Sequence, residues 1–263
     1  MIAQQSAQVT GNLTNAILNN PDIATVEVGA PSYLLFVDGL IEGSPKNQGL
    51  LTAGAKLNGA YASAFVFDEQ RLKIMADKAM DYAERAACAA DKSLCRSREQ
   101  SFSDFTAAVE KITEKNIEPL YNLGVACVGW LQAHSDDWEV IAQLPKAKAI
   151  LERVVQLDDS FEQGAAHIYL GGIETLLPPA MGGKPEVGKQ HFERAIELSN
   201  GTNLIAKVIY AKQYARLVFD QKLHHKLLTE VINSPTEVPG NTLINLVAQR
   251  EARKLLADEA DYF

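Results

Sequence analysis

The segments Leu120-Tyr121-Asn122-Leu123-Gly124 and His167-Ile168-Tyr169-Leu170-Gly171 decide how this chain is expected to fold, because they repeat one pattern on two apolar helices. Each is followed by a second helical pattern in which small and large residues alternate at steps of four and three. Small residues let two helices approach closely, and the large residue fills the groove between them. The triples are Ala147, Leu151 and Val154, then Gly188, Phe192 and Ala195, with a weaker third match at His224, Leu228 and Val231.

This arrangement is typical of tetratricopeptide repeats (TPR), in which Leu-Gly marks the first helix and Ala-x-x-x-Phe-x-x-Ala the second. Gly124 and Gly171 lie about 47 residues apart, whereas a standard repeat has ~34 residues. The extra residues fall between the two helices of a pair, at Ser135–Leu144 and Leu176–Gly183. Insertions at one corner of stacked repeats often form binding surfaces. The sequence therefore predicts an all-α fold of degenerate TPR-like helical hairpins that form a short α-solenoid.

The first half of the chain also reads as helical. Helix starts are predicted at Pro31, near Asn47 and after Asp68, each followed by apolar residues at three- and four-residue steps. Only Ile23–Val28 alternates like a strand, and the Gly-Ala-Pro that follows it is expected to stop it. We therefore divide the chain into an N-terminal segment with the first helix, residues 1–30, and a single helical-repeat domain, residues 31–263.

Composition limits the classes of partner and compartment. The 263 residues contain 25 basic and 33 acidic side chains, a formal net charge of −8, and no cluster of Lys and Arg suited to nucleic acid. No uninterrupted apolar run reaches the ~18–20 residues that span a bilayer. The N-terminus MIAQQSAQ lacks the charged region and apolar core of a signal peptide. Two localisations remain, the cytoplasm or an exported domain after removal of its leader.

The histidines and carboxylates do not form a recognisable catalytic or metal-binding motif. His167 falls on an apolar helix face and is predicted to pack in the core, whereas His191 is expected to face solvent. His224 and His225 are adjacent on a helix, about 100° apart, and so do not point at one metal. We expect no catalytic residue, no metal and no cofactor, and therefore no enzymatic activity.

The apolar string Leu176-Leu-Pro-Pro-Ala-Met-Gly-Gly183 is the most unusual local feature, because a loop is expected to be polar. It either folds back to cover a groove, or forms the wall of an apolar pocket or an oligomer contact. The tryptophans beside the other insertion and three tyrosines on later helices invite the same alternatives, core packing or a groove lining. The candidate ligand or oligomer surface comprises Trp130, Trp138, Tyr169, Leu177, Pro178, Pro179, Met181, Tyr210 and Tyr214.

Three cysteines leave the redox compartment open. Cys88 and Cys95 flank a segment typical of a helix end, and Cys127 lies alone on an apolar helix. One interpretation is three reduced, partly buried thiols. The other is a Cys88–Cys95 disulfide that clamps a helix end in an oxidising compartment, with Cys127 buried beside it.

Several longer strings, in their order along the chain, resemble one known family. They include Pro31-Ser-Tyr-Leu-Leu-Phe-Val-Asp-Gly-Leu-Ile-Glu-Gly-Ser-Pro45, the apolar string at 176–183 and the terminal Leu256-Ala-Asp-Glu-Ala-Asp-Tyr-Phe263. Together they resemble the T component of TPR-associated tripartite ATP-independent periplasmic (TRAP) transporters, the TatT-like family. The resemblance implies an exported, N-terminally lipid-anchored homotrimer around a central pore. It also implies that a periplasmic TRAP solute-binding protein docks on the assembly, and that an apolar, lipid-like or carboxylated molecule is its ligand.

The resemblance changes two of the open alternatives. An oxidising periplasm favours the Cys88–Cys95 disulfide, and a transport role favours a non-enzymatic scaffold. No lipobox cysteine stands at the N-terminus, so either the recorded chain begins after it or this protein is not lipidated. The remaining alternative is a cytoplasmic TPR adaptor that grips a peptide tail, for which Asn203, Lys207 and Lys212 are the only echo of a carboxylate clamp.

Overall fold

The computed structural model describes residues 11–263, and all regular secondary structure in that range is helical, which confirms the predicted all-α class. Contacts between Cα atoms divide the chain into two units. Unit 1 contains Ala24–Asp158 together with residues 11–17, and unit 2 contains Asp159–Phe263 together with Leu18–Ile23. The division into residues 1–30 and a single domain over 31–263 stays a prediction.

Unit 1 is built from six main helices, and side-chain caps fix where three of them begin. Asn47 accepts a hydrogen bond from the backbone N–H of Leu50 at 3.1 Å, and Asp68 accepts one from Arg71 at 2.8 Å. These caps confirm the helix starts predicted near Asn47 and Asp68. Ser101 caps a later helix in the same way. The helices are α1 Ile23–Gly43, α2 Gln48–Phe65, α3 Glu69–Ala90, α4 Phe102–Glu110, α5 Ile117–Ala133 and α6 Leu144–Leu157.

Unit 2 is built from five main helices, one of which changes type along its length. The helix α9 begins as an α-helix and continues as a π-helix over Tyr210–Ala215. A final short helix, Glu259–Tyr262, ends the chain. The helices are α7 Ala165–Glu174, α8 Pro185–Leu198, α9 Leu204–Ile209, α10 Gln221–Asn233 and α11 Thr242–Ala257.

The N-terminal part of α1 corrects the sequence prediction. Ile23–Val28 is helical, not extended, and Pro31 lies inside the helix instead of starting it. A proline has no N–H, so the carbonyl of Glu27 loses its usual partner four residues on. The hydroxyl of Tyr61 donates to that carbonyl at 3.1 Å and replaces the lost bond. The buried stripe of α1 consists of Val26, Ala30, Leu34, Val37 and Ile41.

The hairpin of α5 and α6 has the predicted register. A Cβ atom added to Gly124 would lie 2.8 Å from Cγ2 of Ile150, so a larger residue cannot occupy that position without a shift. The small residue on α5 therefore lets α6 pack directly against its backbone. The predicted contact triple on α6, Ala147, Leu151 and Val154, is fully buried.

The hairpin of α7 and α8 repeats this contact and shows its direction. A Cβ on Gly171 would lie 2.7 Å from the ring of Phe192, and a Cβ on Gly188 would lie 2.6 Å from Cγ2 of Thr175. Residue numbers rise along α7 as they fall along α8, so the two helices are antiparallel. Phe192 and Ala195 are buried, which confirms the predicted repeat register in unit 2.

The later helices of unit 2 continue the alternation. Asn245 accepts a hydrogen bond from the N–H of Leu204 at 2.9 Å, and Lys212 pairs with Glu251 at 3.1 Å. The two contacts follow the same order along both helices, since the earlier residue of α9 meets the earlier residue of α11. The helices α9 and α11 therefore run in the same direction. First helices of neighbouring TPR-like hairpins have this parallel relation. The third predicted match is also buried, at His224, Leu228 and Val231.

Two glycines of α5 provide a matched test of the close approach. Gly124→Ala should destabilise the protein by about 1–3 kcal/mol through overpacking against Ile150. Gly129 lies on the same helix with no atom within 4 Å of an added Cβ. Gly129→Ala should therefore be neutral or stabilising by up to about 1 kcal/mol. Urea denaturation of both variants measures the difference, and equal effects would contradict the assigned register.

Candidate functional site

The first insertion forms a corner of unit 1 in which Trp130 is held by a hydrogen bond and Trp138 is exposed to solvent. The indole Nε1 of Trp130 donates to Asp77 at 2.8 Å, and His134 Nε2 lies 2.9 Å from the same carboxylate. Trp138 begins the short helix Trp138–Ile141, and Asp137 caps that helix. Trp138 is 85% exposed, the highest exposure among the large hydrophobic residues of the described chain.

The second insertion forms a corner of unit 2 whose backbone is closed on itself. The carbonyl of Pro178 accepts hydrogen bonds from the N–H groups of Met181 at 2.9 Å and Gly183 at 3.2 Å. The carbonyl of Glu174 accepts one from Lys184 at 3.0 Å, which closes the base of the loop. A Cβ on Gly183 would lie 1.7 Å from the carbonyl oxygen of Leu177, so only glycine fits there. The loop conformation is thus set by its own backbone.

The closed loop presents its apolar side chains to solvent. Leu176, Leu177 and Met181 are 52%, 44% and 66% exposed, and Pro179 is exposed as well. Pro178 is half-buried. Together these residues form an apolar surface, which we call the apolar loop, on a backbone that is already ordered. Such a surface is typical of a protein or ligand contact.

Tyr210 and Tyr214 are buried in the core of unit 2, as the core-packing alternative expects for these two residues. The ring of Tyr210 stacks on Phe192 with centroids 5.3 Å apart. Burial, together with the hydrogen bond to Glu186 at 2.8 Å, raises the pKa of the Tyr214 hydroxyl to about 12. Tyr210 donates to Glu193 at 3.2 Å, and burial raises its pKa too. Both tyrosines lie on the π-helix over Tyr210–Ala215.

Tyr169 lies half-buried on α7, between core and surface.

The histidines contact carboxylates and each other. His167 is buried as predicted, and its Nε2 lies 2.7 Å from Asp159. Its Nδ1 lies 2.7 Å from Nδ1 of His191, so His191 is half-buried against a partner and does not simply face solvent. Across residues 11–263, no three His, Cys, Asp or Glu side chains converge in a way that suits a metal ion.

The cysteines are arranged as the disulfide interpretation requires. Cys88 and Cys95 form a disulfide with their Cα atoms 4.3 Å apart. Cys127 is a buried free thiol, and burial raises its pKa to about 12, so it stays protonated and unreactive.

The segment after the disulfide, residues 95–101, is held by two charged side chains that the sequence alone does not distinguish from surface charges. Glu84 accepts hydrogen bonds from the hydroxyl of Ser97 at 2.7 Å and from the guanidinium of Arg98 at 2.9 Å. The buried Lys146 donates to three backbone carbonyls of this segment, at Ser97, Arg98 and Gln100, over 2.7 to 3.0 Å. The charges therefore fix the segment against α3 and α6.

The helix α1 presents a second apolar face. Val28 and Leu35 are strongly exposed and Phe36 is half exposed, on the side opposite the buried stripe. In the described part of the chain, α1 is the helix that is long and apolar enough to cross a bilayer by length and composition. Its Asp38 accepts hydrogen bonds from Lys78 and Tyr82 at 2.6 and 2.8 Å, so this helix is also packed into unit 1.

Comparisons with known proteins identify what this chain is similar to. The sequence model of a family described as "TAtT: TRAP transporter T-component" matches residues 19–263, nearly the whole chain. An uncharacterized protein of Treponema pallidum (strain Nichols) is 23% identical over 276 residues, a span that covers 96% of this chain and 84% of that relative.

Protein expressed in a periplasm should show Cys88 joined to Cys95 in non-reducing peptide mass mapping. Replacing both by serine should lower the free energy of unfolding by about 2–3 kcal/mol, the entropy expected for a short closed loop. Reduction of the wild type should produce the same loss and leave the double variant unchanged. Free thiols at both positions would show that the protein does not use this disulfide.

The pH dependence of stability should report on Glu84. Burial raises the pKa of Glu84, but the hydrogen bonds from Ser97 and Arg98 outweigh it and hold that pKa below its usual 4.5. A depressed carboxyl pKa contributes stability above pH 4.5 that is lost as the pH falls through the folded value. Glu84→Gln should therefore cost about 1–3 kcal/mol at neutral pH and flatten the acid side of the stability curve. The exposed Glu110→Gln serves as the control and should change neither.

Proposed function

The chain belongs to the TRAP transporter T-component family, as its longer strings predict, and on that premise we propose that it is a non-enzymatic scaffold of a TRAP transport system. We propose a periplasmic location, with lipid anchoring of the precursor, and assembly as a homotrimer. Its protein partner is then the periplasmic solute-binding protein of the same system, and its ligand an apolar or carboxylated small molecule. The family is transport-associated and is not an enzyme family.

The apolar loop at 176–183 is the observation that carries this proposal. Its backbone is closed by three hydrogen bonds at 2.9 to 3.2 Å, so Leu176, Leu177 and Met181 are displayed without first having to be ordered. A preordered apolar surface loses little conformational entropy when a partner covers it. This small loss of conformational entropy suits a scaffold that must bind and release a solute-binding protein.

The exposed face of α1 supports self-assembly. Val28, Leu35 and Phe36 stand on a helix whose other side is already packed, so a contact there would not disturb unit 1. Burial of three large apolar side chains is worth several kcal/mol, on the order of 25 cal/mol per Å² removed from water. A second copy of the chain is the occupant we propose for this face.

The polar residues support a binding role over catalysis. His167 and His224 are buried and bonded to Asp159 and Glu259, at 2.7 Å in both cases. In these positions they orient the loop at Asp159 and the C-terminal helix that carries Glu259.

The cytoplasmic peptide-adaptor alternative needs free cations and amides to bind a carboxylate. Lys207 pairs with Glu230 at 2.7 Å, and Lys212 pairs with Glu251 at 3.1 Å. Asn203 is buried. A peptide carboxylate would have to displace carboxylates of the chain itself, which argues against this alternative.

The test is co-purification from the cell envelope with the solute-binding protein of the same TRAP system, followed by native mass spectrometry. Leu177→Asp and Met181→Asp place a charge on the apolar loop and should weaken the complex by at least about tenfold. Val218→Asp is the matched control, because Val218 has a similar exposure of 39% in the same unit and lies outside the loop.

Folding is checked by circular dichroism, since charges on exposed positions should leave the helix content unchanged. Retained binding in both loop variants would assign the contact to another surface. A monomer that never captures the solute-binding protein would overturn the scaffold proposal itself.

A further inference from the structure

We propose that the corner of unit 1 around Trp138 is a docking surface for a cationic, arginine- or lysine-bearing segment of a protein partner. We call it the Trp138 corner and define it as residues 134–141 with the adjoining side chains Glu69, Lys73 and Asp77 of α3 and its first turn. It goes beyond the proposed function because it lies in the other unit and has a chemistry different from that of the apolar loop.

The local helix displays Trp138. Two residues further on, Val140 is buried and anchors the helix to unit 1. Residues two apart on a helix point in nearly opposite directions, so burying Val140 turns the indole of Trp138 outward. Asp137 holds this helix in place by accepting hydrogen bonds from the N–H groups of Glu139 and Val140. A large aromatic ring is thereby left in solvent on a capped turn.

Three polar contacts with α3 make the corner rigid. Both carboxylate oxygens of Asp136 lie 2.8 Å from the ammonium group of Lys73. One turn further along α3, Asp77 holds Trp130 and His134 at 2.8 and 2.9 Å. An aromatic side chain on an ordered support is the usual form of an energetic anchor at interfaces, because little entropy remains to be lost.

The surroundings of the indole are acidic. Ser135–Glu139 are all exposed and include three carboxylates, at Asp136, Asp137 and Glu139. The hydrogen bond and charge of Asp136, with the charges of Glu69 and Asp137, raise the pKa of Lys73. The same contact lowers the pKa of Asp136, so that carboxylate stays ionised over the physiological range. One lysine therefore stands among several carboxylates.

Charge complementarity selects the occupant. A guanidinium or ammonium group can lie on the indole face while its charge is attracted by the neighbouring carboxylates, of which Glu139 is exposed. Nucleic acid and anionic lipid carry the wrong charge for this corner. A second copy of the chain is the occupant proposed for the apolar face of α1, and at this acidic corner it would present a molecule that is itself net acidic, with a charge of −8. The remaining occupant is a basic segment of a different protein.

The experiment measures binding of a fluorescein-labelled alternating Arg-Gly peptide to the whole protein by fluorescence anisotropy. Trp138→Ala should weaken binding at least about fivefold, the loss expected for a desolvated cation–π contact. Phe102→Ala is the aromatic control, because Phe102 is 52% exposed in the same unit and lies on α4, outside the residues that define this corner. An alternating Glu-Gly peptide should not bind.

Charge is tested separately from the ring. Glu139→Gln should weaken binding of the Arg-Gly peptide and reduce its salt dependence, whereas Glu110→Gln, an equal change of charge elsewhere in unit 1, should have no such effect. The melting temperature of Trp138→Ala should equal that of the wild type, because the side chain is already exposed. Equal affinity of Trp138→Ala and wild type, or equal effects of the two Glu→Gln variants, would reduce the binding to general attraction and overturn the proposal.

Discussion

Close approach of paired helices at glycine is the constraint on which the rest of this structure depends. At Gly124, Gly171 and Gly188 an added Cβ would lie within 2.6 to 2.8 Å of the facing helix. At Gly124 and Gly188, packing at this distance leaves no room for slippage, because a one-residue shift would put a larger side chain into the contact. These positions fix the register of the α5–α6 hairpin in unit 1 and of the α7–α8 hairpin in unit 2.

The corners between the paired helices are free of that constraint, and each corner is ordered by other means. In unit 2 the loop closes through its own carbonyls, so its apolar residues stay exposed on a fixed backbone. In unit 1, salt bridges and hydrogen bonds from Lys73 and Asp77 hold the corner to α3. The two corners thus offer different chemistry, apolar in one and aromatic with an acidic rim in the other.

Particular residues show where prediction from the sequence succeeds and fails. The contact triples Ala147, Leu151, Val154 and Gly188, Phe192, Ala195 were predictable because helical periodicity encodes a buried face directly. Pro31 was misassigned because its lost hydrogen bond is replaced by Tyr61, which is distant in sequence. For Tyr210 and Tyr214 the sequence left core packing and groove lining open, and their burial is a property of the fold. The roles of Glu84 and Lys146 depend on partners in other helices.

The sequence by itself determined the helical class, the hairpin register, the positions of the two insertions and the family, since each follows from local spacing or from strings of neighbouring residues. Only the tertiary structure decided which insertion residues are displayed, which charges hold loops and which histidines are paired. Those properties arise from contacts between residues tens of positions apart, such as Asp77 with His134 and Lys146 with Ser97. The exposure and the partners of a side chain depend on which residues the fold places next to it, and the local spacing of residues in the sequence does not determine those neighbours.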